Sequence, residues 1–143
     1  MHSEHIRNLH PGWVVGGWLV AVGVAGAVFM GLVGVGLARP DAGGADLVVL
    51  AAVAVGFFAG GFFVGLRWSD APILHGAAIT FLSVFVWFAG ELAFPGSLGE
   101  PSASLRRTTL VLGVILLQLA ASVGGGWVGR RLVLRGETPM LDG

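Results

Sequence analysis

Four stretches of the chain contain no charged side chain, and each is close to the length needed to cross a bilayer. About 20 apolar residues, rising 1.5 Å each in a helix, span about 30 Å of hydrocarbon. The first stretch runs from Gly12 to Leu37, the second from Leu47 to Leu66, the third from Ile73 to Gly90 and the fourth from Thr108 to Gly129. Glu91 interrupts the third, but Leu92, Ala93 and Phe94 prolong it until Pro95 and Gly96. The pattern predicts an all-α membrane protein with four transmembrane helices over about 12–37, 47–66, 73–94 and 108–129. A short polar head (1–11), three connections and a tail (130–143) complete a single transmembrane domain over 1–143.

Helix chemistry agrees with these limits. Asn8 is a candidate N-cap for the first helix with Pro11 in its first turn, and Ser69 or Asp70 for the third with Pro72 just inside, where a missing N–H costs nothing. Arg39-Pro40-Asp41-Ala42-Gly43-Gly44 and Pro95-Gly96-Ser97-Leu98-Gly99-Glu100-Pro101 read as turns. The first apolar run follows Arg7 as a secretory signal would, but it is far longer than the roughly 7–15 residues of a signal core. It reads as a retained anchor.

Composition strengthens the membrane assignment. Of 143 residues 55% are apolar and 11% charged, and mean hydropathy is +0.87. A soluble domain carries about 25% charge and buries only about two-thirds of its unfolded surface at this size, so a cytosolic enzyme is excluded. Eight Arg, no Lys and eight acids sum to zero formal charge, which leaves no basic surface for nucleic acid and no polybasic lipid anchor. With no Cys, disulfides, thiolate metal sites and Cys nucleophiles are excluded.

Arg placement sets the expected orientation. Arg7, Arg67, Arg130, Arg131 and Arg135 fall on the side of the termini, against Arg39, Arg106 and Arg107 on the other. Positive-inside bias puts both termini in the cytoplasm of a multi-pass protein of the inner (plasma) membrane. Trp13, Trp68 and Trp127 fall at the same inner boundary, as an aromatic belt does.

The sequence also matches itself at an offset of 64 to 65 residues. Leu9-His10-Pro11-Gly12 opens the first span and Leu74-His75-Gly76 the third. Gly60-Gly61-Phe62-Phe63-Val64-Gly65-Leu66-Arg67 closes the second, and Gly124-Gly125-Gly126-Trp127-Val128-Gly129-Arg130-Arg131 the fourth. Two helical hairpins of like orientation would form parallel repeats about an axis along the membrane normal. The alternative is chance matching between Gly-rich helices.

The run from Gly56 to Arg67, followed by a polar turn and Ile73-Leu74-His75-Gly76, resembles the YrzE-type family of small bacterial four-helix integral membrane proteins, in which a Gly-rich second span ends in Arg and the third opens with His-Gly. The resemblance lies mainly in residues 52–78. It implies a four-helix fold with no assigned activity and no catalytic residues to carry over.

Glycine pairs four apart, Gly12/Gly16, Gly56/Gly60, Gly61/Gly65 and Gly125/Gly129, make rows on single helix faces, with Ala52 and Ala121 extending two of them. Small rows let backbones approach closely enough for dispersion to hold helices together in lipid. Gly56/Gly60 and Gly61/Gly65 lie on different faces, since five residues turn a helix by about 500°. The second helix is therefore expected to touch two neighbours. Such rows serve internal bundle packing or a seam between subunits.

Polar side chains inside the spans are few. Thr80 and Ser122 lie about 10 Å from the inner ends of their helices, and Ser83 and Gln118 about 15 Å. Matching depths predict a polar seam between the third and fourth helices, read as interhelical hydrogen bonding or as a pathway for a solute. Glu91, about 27 Å beyond Ile73, belongs near the outer headgroups, where Arg106 or Arg107 would pair with it. His10 and His75 read as interfacial residues at helix starts, together with Arg67 and Arg131 at inner helix ends. His2 and His5 sit in the head, and a metal there would want ligands held by a fixed second shell.

No Ser-His-Asp set, HExxH or phosphate loop occurs. The expectation is a non-catalytic protein without cofactor or metal that works through helix contacts in the lipid bilayer. Its partners would be other transmembrane subunits or itself, as a small accessory or assembly subunit or a homo-oligomer. The alternative is a small oligomeric transporter or channel.

Overall fold

The computed structural model describes residues 9–37, 45–67, 71–94 and 105–136, and among them the chain is all-α. Four helices follow in order: α1 Pro11–Gly34, α2 Ala45–Arg67, α3 Pro72–Ala93 and α4 Leu105–Gly136. All four are long and apolar enough to cross a membrane, in keeping with a multi-pass membrane protein. Only 17 to 33% of each span is buried inside the protein. Leu47, Phe81, Phe85, Phe88 and Leu92 are among the large apolar side chains left exposed, an arrangement that lipid satisfies and water does not.

Several boundaries differ from the sequence expectation. α1 stops at Gly34 rather than near Leu37, because the chain turns through a Schellman motif. Leu37 N–H donates to Leu32 O and Gly36 N–H to Val33 O, both at 2.9 Å, with Gly36 at φ +77°. Only glycine takes that left-handed value without strain. At the other extreme α4 continues past Gly129, so Arg130, Arg131 and Arg135 stand on the helix and not in a tail. Charge ends an apolar run without ending a helix, since Arg and Leu are good helix formers.

The N-caps also differ. His10 and Ala71 precede α1 and α3, and neither makes a side-chain cap bond. Asn8, Ser69 and Asp70 lie outside the described residues, as do the two turn segments, Trp68, His2, His5 and the side chains of Arg106 and Arg107. Proline sets both starts. Pro11 and Pro72 need no N–H partner in the first turn, and each disfavours helical backbone in the residue before it.

The contacts define an up-and-down bundle with α2 between α1 and α4. Gly56 meets Ala21 and Ala25 while Gly60 meets Gly17 and Ala21, so α1 and α2 run antiparallel. Gly61 meets Ser122 and Gly65 meets Gly126, so α2 and α4 run parallel. Gly125 meets Phe58 and Gly129 meets Phe62 in the same seam. Shifting Phe58 and Gly61 by 64 residues gives Ser122 and Gly125, which converts one contact into the other. Phe62 and Gly65 map in the same way onto Gly126 and Gly129. Reciprocal exchange of this kind is the pattern of a two-fold axis between α2 and α4.

The two halves are not otherwise equivalent. α1 lies on α2 through Gly17, Ala21 and Ala25, whereas α3 lies on α4 through Pro72, Gly76 and Thr80. The buried apolar cluster of Val14, Ala21, Phe57, Val64 and Ile79 fills the space where α1, α2 and α3 meet.

Candidate functional site

Three groups of side chains are built into the bundle, and the glycine seams decide where they fall. A Cβ placed on Gly61 or Gly125 would overlap a backbone carbonyl oxygen, that of Ser122 or of Phe58. Gly56, Gly60, Gly65 and Gly129 are also pressed close to neighbouring backbone. The two faces of α2 thus hold different partners, Gly56/Gly60 against α1 and Gly61/Gly65 against α4. Gly12 and Gly16, in contrast, have open space around them. The row that α1 presents to α2 is Gly17, Ala21 and Ala25, which sequence reasoning passed over because alanine sits at two of its three positions. Gly76 belongs to no small-residue row in the sequence, yet a Cβ there would come within 2.8 Å of Val123 N.

That close approach at Gly76 creates the first polar group. Ser122 Oγ donates to the Gly76 carbonyl at 2.9 Å, and Thr80 Oγ1 lies 3.0 Å from Ser122 Oγ. The Gly76 carbonyl is also within 3.4 Å of Thr80 Oγ1, and the Leu119 carbonyl lies 3.2 Å from Ser122 Oγ, so both hydroxyl protons have acceptors. Both side chains are buried, so each hydroxyl is taken up by a neighbour rather than left bare in hydrocarbon.

The second group is formed by His75, which is 1% exposed although it stands in the first turn of α3. Its Nδ1 lies 2.8 Å from the Ala71 carbonyl, an acceptor only, so the proton is on Nδ1. Nε2 is then free to accept, and the backbone N–H of His10 donates to it at 3.3 Å. The neutral ring is satisfied at both ends and ties the start of α1 to the start of α3. His10 itself is exposed, in line with a boundary position.

Ser83 and Gln118 form the third group. Neither has a hydrogen bond among the described residues, and they share a crevice of about 430 Å³ with Val22, Ala25, Phe29, Ala52 and Phe57. The matching depths of the two polar pairs therefore have different outcomes. Thr80 and Ser122 bond to each other, while Ser83 and Gln118 line a common open crevice.

Glu91 is half-buried near the end of α3. Arg67 is exposed at the end of α2, and the Arg131 guanidinium lies 3.6 Å above the Trp127 ring one turn earlier, a cation–π contact at the same end of the bundle. Among the described residues no three of His, Asp and Glu gather into a metal-binding group. The Trp18 Nε1 atom is buried without a hydrogen-bond partner among the described residues, a feature that hydropathy alone does not reveal. No family model, curated protein or solved structure matches the chain.

Proposed function

We propose that the protein is a non-catalytic integral membrane protein of the bacterial inner (plasma) membrane. It works through helix contacts as a small accessory or assembly subunit of a membrane complex or as a homo-oligomer, with both termini in the cytoplasm. The observation that carries this reading is how the polar and small residues are used. Thr80, Ser122 and His75 are consumed in bonds between helices, and the seam glycines in backbone contact. What the bundle offers outward is mostly apolar: Phe81, Phe85 and Phe88 on α3, and Leu19, Val22 and Met30 on α1. In lipid such faces contact either acyl chains or another transmembrane helix, and dispersion decides between them. The likeness of residues 52–78 to the YrzE-type family is in keeping with this reading.

The experiment is purification in mild detergent followed by native mass spectrometry. A stoichiometric second subunit or a defined homo-oligomer is the expected result. A monomer that moves ions or protons across reconstituted liposomes above background would replace this reading with the transporter alternative.

A further inference from the structure

We infer that the crevice holding Ser83 and Gln118 is a binding site for a neutral, membrane-dissolved carbonyl compound of the quinone type. All four helices contribute to it, among them Val22 and Phe29 from α1, Ala52 and Phe57 from α2, Ser83 from α3 and Gln118 from α4. It is a wide-mouthed crevice of about 430 Å³, largely apolar with two polar groups, and a few placed polar groups are what fix orientation in small-molecule sites.

Four features select the ligand. No ionisable side chain lines the crevice, so a charged headgroup would find no counter-ion there. The Ser83 hydroxyl and the Gln118 amide are donors without a hydrogen bond among the described residues, and in hydrocarbon such donors favour an acceptor such as a carbonyl oxygen. Ser83 stands halfway along α3, about 15 Å from either end. That depth lies beyond the ester carbonyls of a phospholipid held at the headgroups, and a hydrocarbon tail offers the donors nothing. Finally, Phe29 and Phe57 are among the residues lining the crevice, and aromatic side chains pair favourably with a flat ring.

The test uses the full chain in phosphatidylcholine nanodiscs with benzophenone, a neutral aryl ketone that labels its surroundings on irradiation. Labelling should be saturable, map to the peptides containing Phe29 and Ala52, and be competed by a benzoquinone bearing a decyl chain but not by dodecane. Gln118→Leu and Ser83→Ala should each weaken binding about fivefold, the factor associated with one neutral hydrogen bond. Gly26 has open space where a side chain would project, so Gly26→Phe should fill the crevice and abolish site labelling with both polar groups retained. Equal competition by dodecane would make this an acyl-chain slot and overturn the proposal. Labelling that rises linearly over every lipid-facing helix, or unchanged affinity in Ser83→Ala, would overturn it as well.

Discussion

The backbone N–H of His10 donates to Nε2 of His75 at 3.3 Å, joining two residues 65 apart in sequence at the starts of α1 and α3. His10 is the N-cap before Pro11 of α1, and His75 stands in the first turn of α3, three residues after Pro72. The His75 ring is buried and carries bonds at both nitrogens, whereas His10 is exposed. Packing thus gives His75 a structural task that its place near a helix start does not reveal. His75→Ala would open a cavity at the α1–α3 contact as well as removing both bonds. Its expected cost is about 2–4 kcal/mol, read from unfolding in detergent, and His75→Asn should recover part of the loss.

The α2–α4 seam should reject even a methyl group. Gly61→Ala and Gly125→Ala each force a Cβ onto a facing backbone carbonyl, and overpacking of this kind costs about 1–3 kcal/mol. Gly16→Ala and Gly124→Ala meet nothing within 4 Å and should leave stability unchanged or raise it by up to about 1 kcal/mol. Thermal unfolding of the four variants separates the two classes, and equal melting temperatures would count against the seam.

Thr80 and Ser122 provide a direct measure of an interhelical hydrogen bond. A double-mutant cycle with Thr80→Val and Ser122→Ala should return a coupling of about 0.6 kcal/mol between α3 and α4. Strict additivity would mean that the two hydroxyls do not bond in the bilayer.

Glu91→Gln and Gln118→Leu distinguish a packing protein from a conducting one. In a packing protein neither variant alters ion or proton flux in liposomes, and Gln118→Leu changes stability by about 1 kcal/mol or less. Wild-type flux above the liposome background that either variant abolishes would contradict that role.

The chain has no native Cys, so single cysteines report topology cleanly. A cysteine at Ser3 or at Gly143 should resist an impermeant thiol reagent in intact cells and react after lysis. Labelling at either position in intact cells would reverse the orientation drawn from Arg placement.

Uncharged length by itself determined the number of helices and their approximate limits, because a backbone in hydrocarbon must satisfy its own polar groups and a helix does so within one segment. Glycine spacing was legible in the same way: rows on two faces of α2 imply two neighbours, and α1 and α4 occupy them. Proline placed the starts of α1 and α3, and equal depth along the helix brought Thr80 to Ser122.

Other features depend on how the helices rotate and cross, which spacing along one helix does not encode. Gly17 rather than Gly16 faces α2, although the two are adjacent in sequence, because their directions differ by about 100° and only contact chooses between them. Ser83 and Gln118 are no less polar than Thr80 and Ser122. They line an open crevice, while the close approach of α3 to α4 is made at Gly76, where the absence of a side chain brings the backbones together beside Thr80 and Ser122. In lipid every helix face is apolar enough to be exposed, so hydropathy carries little information about which face turns inward, and the choice passes to small residues, hydrogen bonds and fit.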